Sequence, residues 1–204
     1  MTDILRKTTT RLMLALGLVA AALQMIAPAA AAAPDGWLAG PEADAVIEIG
    51  QRFDCSGEGC PPDLSCIYAL GPPRPPGSWP IDTGFMLDEK RMPWSDFEAW
   101  LVAKAKALRP ELADDPLVRS DRFASQTAPE AVEIAGSEFV TRRYEIAAKR
   151  RSFDLSVYLW SVKGRLRITA CVAPETGSTH RAAAPAVESL LSYLRGKDTA
   201  PANE

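Results

Sequence analysis

The chain has one histidine, His180, and one asparagine in 204 residues. A single imidazole excludes a His-rich metal centre and confines any Ser-His chemistry to the neighbourhood of His180. Whole motif classes are missing too. There is no Walker A or Rossmann glycine fingerprint to cradle phosphates, no H-E-x-x-H, no EF-hand loop, no G-x-S-x-G elbow and no C-x-x-C. Beyond the N-terminus no apolar run is long enough to span a membrane, and the chain holds no internal repeat. Carboxylate pairs occur only in polar stretches, Asp88-Glu89 and Asp114-Asp115, with nothing to set two of them across a cleft. Neither a cofactor nor a metal is expected. The scarcity of asparagine beside abundant alanine and arginine suits a GC-rich bacterial coding sequence.

The N-terminus is distinctive. Arg6, Lys7 and Arg11 precede the run LMLALGLVAAAL, then Pro28 and an alanine tract ending at Pro34. A basic region, an apolar region and an A-x-A site describe a secretory signal peptide, here residues 1–32, with cleavage after Ala32. Export to a periplasm gives the four cysteines a meaning. In an oxidising compartment Cys55, Cys60, Cys66 and Cys171 read as two disulfides, since C-x4-C-x5-C does not match zinc-ligand spacing. Of the three possible pairings, Cys55–Cys60 closes over the flexible Ser-Gly-Glu-Gly, and Cys66–Cys171 joins the N-terminal segment to the end of the chain.

The stretch organising the rest is SVYLWSVKGRLRITACV, residues 156–172. Leu155, Val157 and Leu159 alternate with Ser156, Tyr158 and Trp160; after the turn, Leu166, Ile168 and Ala170 alternate with Arg167, Thr169 and Cys171. Period-2 patterning on both sides of Lys163-Gly164 predicts a hairpin with a two-residue loop. That register sets Leu159 against Ile168 and Val157 against Ala170 on one face. On the other it sets Trp160 against Arg167, Tyr158 against Thr169 and Ser156 against Cys171. The second face carries Tyr158, Trp160 and Arg167 as a possible partner surface, with a cation–π contact between the last two. The Cys66–Cys171 bridge would lay the N-terminal arm over its Cys171 end.

Around the hairpin, residues 131–172 read as a β-meander, with Ala148-Lys149-Arg150-Arg151 as a four-residue loop. Ser95-Asp96-Phe97-Glu98 is a capping box opening a helix of about 95–109, with Phe97, Leu101, Ala105 and Leu108 as its buried stripe. A second helix of about 183–195 has Pro185 in its first turn, Gly196 as its stop, and an apolar face of Val187, Leu190, Leu191 and Leu194. Gly84–Leu87 is expected as a short strand, Cys66–Leu70 as another, and GPPRPPGSWP (71–80) as a surface crossing with polyproline character. Glu42–Phe53 fits either a short helix or a strand at Ala45–Ile49. The domain map is thus a Cys/Pro-rich arm over 33–80, one α+β domain over 81–196 and a flexible tail over 197–204. Charge divides as well. Residues 33–134 carry 9 basic and 18 acidic side chains, and residues 135–204 carry 11 and 7. Arg142-Arg143 and Lys149-Arg150-Arg151 make a basic edge, but an acidic, exported chain is not expected to bind nucleic acid.

The meander around VYLWSVKGRLRITACV, followed by a terminal amphipathic helix with PAVESLLSYL and preceded by the Gly84–Leu108 strand and helix, resembles the PsbP/DcrB-like α/β proteins. That resemblance implies a curved antiparallel sheet between helices and a non-catalytic binding or assembly role. The expected function is a disulfide-stabilised periplasmic binding module with an envelope protein as partner and no membrane contact after cleavage. The alternative is a small secreted hydrolase with a site near Ser178 and His180.

Overall fold

Alternation and turn chemistry dictate the central hairpin, and the rest of the sheet is assembled on it. In the computed structural model, which describes residues 33–42, 50–71, 77–78, 80–108, 123–148, 151–174 and 179–199, β7 (Arg151–Val162) pairs with β8 (Arg165–Pro174) in the predicted register. Lys163 and Gly164 take φ of 50° and 75°, the type I′ geometry whose twist matches the strands it joins. Ala135-Gly136 repeats the device, with φ of 49° and 73°, between β5 (Glu130–Ile134) and β6 (Ser137–Ala148).

All eight strands form one antiparallel sheet in the order β1-β2-β3-β8-β7-β6-β4, with β5 also on the free flank of β6. The remaining strands are β1 (Trp37–Glu42), β2 (Gly50–Cys55), β3 (Ser65–Leu70) and β4 (Phe123–Ser125). Helices α1 (Thr83–Leu87), α2 (Trp94–Leu108) and α3 (Thr179–Thr199) complete the described part. The expected fold class, α+β with a single antiparallel sheet, is what the structure has. No described helix is long and apolar enough to cross a membrane.

Several expectations need correction. The Cys/Pro-rich segment is not an arm lying over the domain. Its strands β1–β3 are three of the eight, and β3 pairs with β8 from Ser65↔Val172 to Leu70↔Arg167. Pro41 had disguised this, but it sits on the outermost strand, at a register shift, where a missing N–H costs no ladder bond. Gly84–Leu87 is helical, because the Asp82 carboxylate accepts from Phe85 N at 2.7 Å and caps the turn. That makes three helices among the described residues rather than two. Helix α2 starts at Trp94, one residue before the expected cap, with Phe97 N donating to Pro93 O at 3.0 Å. Ala148 pairs with Arg151, so the β6–β7 connection has two residues rather than four. Helix α3 runs through Gly196 to Thr199, so the first part of the expected tail is ordered helix. The 1–32 segment, residues 72–76 of the proline-rich crossing, the 109–122 connection and Ser178 lie outside the described residues.

The sheet buries both faces. On one, Met86, Met92, Trp94, Phe97 and Leu101 from α1, α2 and their link pack on Val140, Leu155, Val157, Leu159, Ile168 and Ala170. On the other, Val187, Leu190, Leu191 and Leu194 of α3 cover Phe53, Cys66, Tyr68, Phe139, Tyr158, Trp160 and Cys171. Leu101 and Leu190 are 3% and 0% exposed, one in each layer. Truncating either to alanine should cost roughly 2–5 kcal/mol of unfolding free energy. Val162→Ala, at the turn edge, should cost much less. Denaturant titration of the three variants checks the assignment of both layers.

Candidate functional site

Cross-strand register decides what lies under α3. Three rows run across β3, β8 and β7: Cys66, Cys171 and Ser156; Tyr68, Thr169 and Tyr158; Leu70, Arg167 and Trp160. The first row holds the Cys66–Cys171 disulfide, and Cys55–Cys60 closes the loop after β2, so both expected bridges form and no cysteine is free. Cys171 is covered, but by α3 rather than by an arm.

The second correction is functional. Tyr158, Trp160 and Arg167 share the expected face, but that face lies under α3, where Trp160 is 1% exposed and Tyr158 9%. Their polar atoms are used internally. Asp198, in the last turn of α3, accepts from Tyr68 Oη at 3.0 Å, from Trp160 Nε1 at 3.0 Å and from Arg167 Nε at 3.1 Å. Arg167 and Trp160 therefore meet through one carboxylate instead of by cation–π stacking. Trp160 also stacks with Tyr68 and meets Phe139 edge-on, at 5.9 and 5.3 Å. A carboxylate at a helix C-terminus opposes the helix dipole, and the Arg167 cation offsets that cost.

On the opposite face Arg142 is similarly absorbed. Its guanidinium lies 4.7 Å from the Trp94 ring and 5.6 Å from the Tyr144 ring, and it pairs with Glu89 at 3.2 Å. It belongs to the interior rather than to a solvated basic edge.

An open cleft of about 360 Å³ remains where the β7–β8 turn, α1, the start of β6 and the end of α3 converge. Trp160 and Met86 back it, and Ile81 adds apolar wall. Lys163 reaches it from the left-handed position of the turn, where asparagine or glycine would be less strained. Arg195 lines it from α3, touching only Ser161 O at 3.5 Å. Glu138, held by Thr83 Oγ1 at 2.5 Å, and Asp82 supply carboxylates. Neither Lys163 nor Arg195 has an ion-pair partner among the described residues.

The sequence reading missed Asp198 and the cleft residues. Asp198 was traceable, because it extends the Val187, Leu191, Leu194 spacing by one more helical step; Gly196 hid it. The side chain of His180 and all of Ser178 lie outside the described residues, and no group of three or more His, Cys, Asp and Glu is placed for a metal among those described.

No family model and no curated protein matches the chain. Among solved structures it is similar to the Ran-binding protein Mog1p of Saccharomyces cerevisiae, at 15% identity and a TM-score of 0.38, over 80% of this chain and 85% of that one. It is also similar to LpqN, involved in cell envelope biogenesis of Mycobacterium tuberculosis, at 14% identity and 0.35, over 78% and 77%. At these values neither protein's activity carries over.

Two outcomes are expected from the buried polar groups. Asp198→Ala, which strands three buried donors, should destabilise by roughly 3–5 kcal/mol. Thr199→Ala next to it should stay within about 0.5 kcal/mol. Thermal and urea unfolding of the pair tests the clamp. The second outcome concerns alkali. Burial pushes the Tyr68, Tyr144 and Tyr158 hydroxyls above their ordinary range, helped at Tyr68 by the Asp198 carboxylate and at Tyr144 by Glu98. A raised folded value means stability is complete below the unfolded tyrosine range near pH 10 and declines above it, by up to about 1.4 kcal/mol per pH unit for each residue. Tyrosinate absorbance should rise together with loss of structure. Reversible ionisation of these tyrosines near pH 10 in a folded chain would contradict their burial.

Proposed function

We propose that this is an exported, non-catalytic binding module of the bacterial cell envelope, with an envelope protein as partner and the Lys163–Glu138 cleft as its contact point. The observation that carries the reading is an open cleft lined by charges of both signs that do not pair with each other, with Lys163 and Arg195 lacking an ion-pair partner among the described residues. The basic, apolar and alanine-rich segments before Pro34 support export, as do two disulfides that consume every cysteine. The resemblance of the meander and terminal helix to the PsbP/DcrB-like proteins favours a binding role over catalysis, although the strand expected at Gly84–Leu87 is a helix.

Two measurements test it. Alkylation of the native protein under denaturing, non-reducing conditions should label no cysteine, and fractionation should recover it from the periplasm. Labelling of two or more cysteines in a cytosolic pool would remove the export half. A photoreactive group placed at Lys163 in living cells should trap one envelope protein, and Glu138→Lys should abolish that adduct. Indiscriminate or absent adducts would remove the binding half.

A further inference from the structure

On the reading of the cleft as the binding centre, we infer that what enters it is a short zwitterionic peptide of about two to four residues, its carboxylate toward Lys163 and Arg195 and its ammonium toward Glu138. The balance of charge selects this class. Lys163 and Arg195 would repel a pure cation, and Glu138 with Asp82 would repel a pure anion. The two signs line the same space without pairing, and each group is held by its own element. Lys163 stands on the tip of a type I′ turn, and Arg195 reaches the Ser161 carbonyl from α3. Glu138 is tethered by the Thr83 hydroxyl, and Asp82 is engaged as a helix cap. Neither sign can collapse onto the other without breaking one of these arrangements.

Glu138 carries a second pointer. It stands directly opposite Glu133 across the β5–β6 ladder, both exposed. Like charges in that position destabilise a sheet, and an ammonium at Glu138 relieves the repulsion. Between the charged ends, Ile81 presents apolar surface to a peptide backbone, with the buried Trp160 and Met86 forming the floor beneath it. The volume is also informative. About 360 Å³ admits a few residues.

Triglycine is the probe, compared with its N-acetylated form, which lacks the ammonium, and its C-amidated form, which lacks the carboxylate. Two-dimensional NMR of the disulfide-intact protein should show triglycine shifting the amides of Lys163, Gly164 and Glu138, with each cap weakening binding about tenfold or more. Glu138→Gln should bind the free and acetylated peptides alike, and Lys163→Met combined with Arg195→Met should bind the acid and the amide alike; circular dichroism confirms that both variants fold. No shift at about 10 mM triglycine, or caps without effect, would overturn the inference. If Glu138→Lys abolishes the in-cell adduct while triglycine fails to bind, the binding-module reading stands and the ligand class falls. If triglycine binds with the expected cap dependence while no specific adduct forms, the ligand class stands and the protein partner falls.

Discussion

The pairing of β3 with β8 is the constraint on which the rest depends. It joins the first third of the chain to its last hairpin, and Cys66 and Cys171, directly opposite each other, lock it across 105 residues of sequence. Closing a loop of that length removes about 4–5 kcal/mol of unfolded-state entropy in the chain-entropy model. Without the seam, β1–β3 would be a small proline-containing sheet with nothing to pack against. The β4–β8 group would expose the row Tyr68 now covers. The seam also widens the sheet enough to bury both faces, α1 and α2 on one and α3 on the other.

The second-largest dependence runs through one carboxylate. Asp198 connects the last turn of α3 to β3 through Tyr68, to β7 through Trp160 and to β8 through Arg167. Hydrophobic contacts from Val187 to Leu194 hold the helix on the sheet, but such contacts tolerate sliding along the helix axis. A carboxylate with three directional donors on three strands does not. The register of α3 on the sheet is thereby set at its end, and so is the position of Arg195, one turn earlier, in the cleft.

Local signals were legible and, apart from the Cys66–Cys171 bridge, long-range ones were not. The Lys163-Gly164 turn, the β7–β8 register from Ser156↔Cys171 to Trp160↔Arg167 and the α3 stripe followed from alternation and helical spacing, which act over a few residues. Both cysteine pairings were expected, one from loop length and the other from the need to cover Cys171. The place of β1–β3 was lost because Pro41 and the glycines around the cysteines resemble a loop, and only the tertiary fact that β1 is an edge strand reconciles them with a sheet. Tyr158, Trp160 and Arg167 were assigned to the correct face but to the wrong environment. A period-2 pattern says which residues share a side of a strand; it does not say whether that side meets water or a helix. Two aromatics in that row were the available hint of a second core.

The cleft is the least legible feature and shows why. Its charged lining comes from residues 82, 138, 163 and 195, four separate elements with no local signature linking them. Each residue has an ordinary local explanation, as a helix cap, a strand-edge acid, a turn lysine and a helix-surface arginine. Their meeting depends on the β7–β8 turn lying beside the start of β6, and on the last turn of α3 being held to the sheet by Asp198. Trp160 belongs to both systems, donating to Asp198 while backing the cleft. A shift of the α3 end therefore moves the tryptophan wall and Arg195 together. The charges of the cleft rest on the Asp198 clamp beneath them, so recognition in the cleft and docking of the C-terminal turn are two readouts of one packing arrangement.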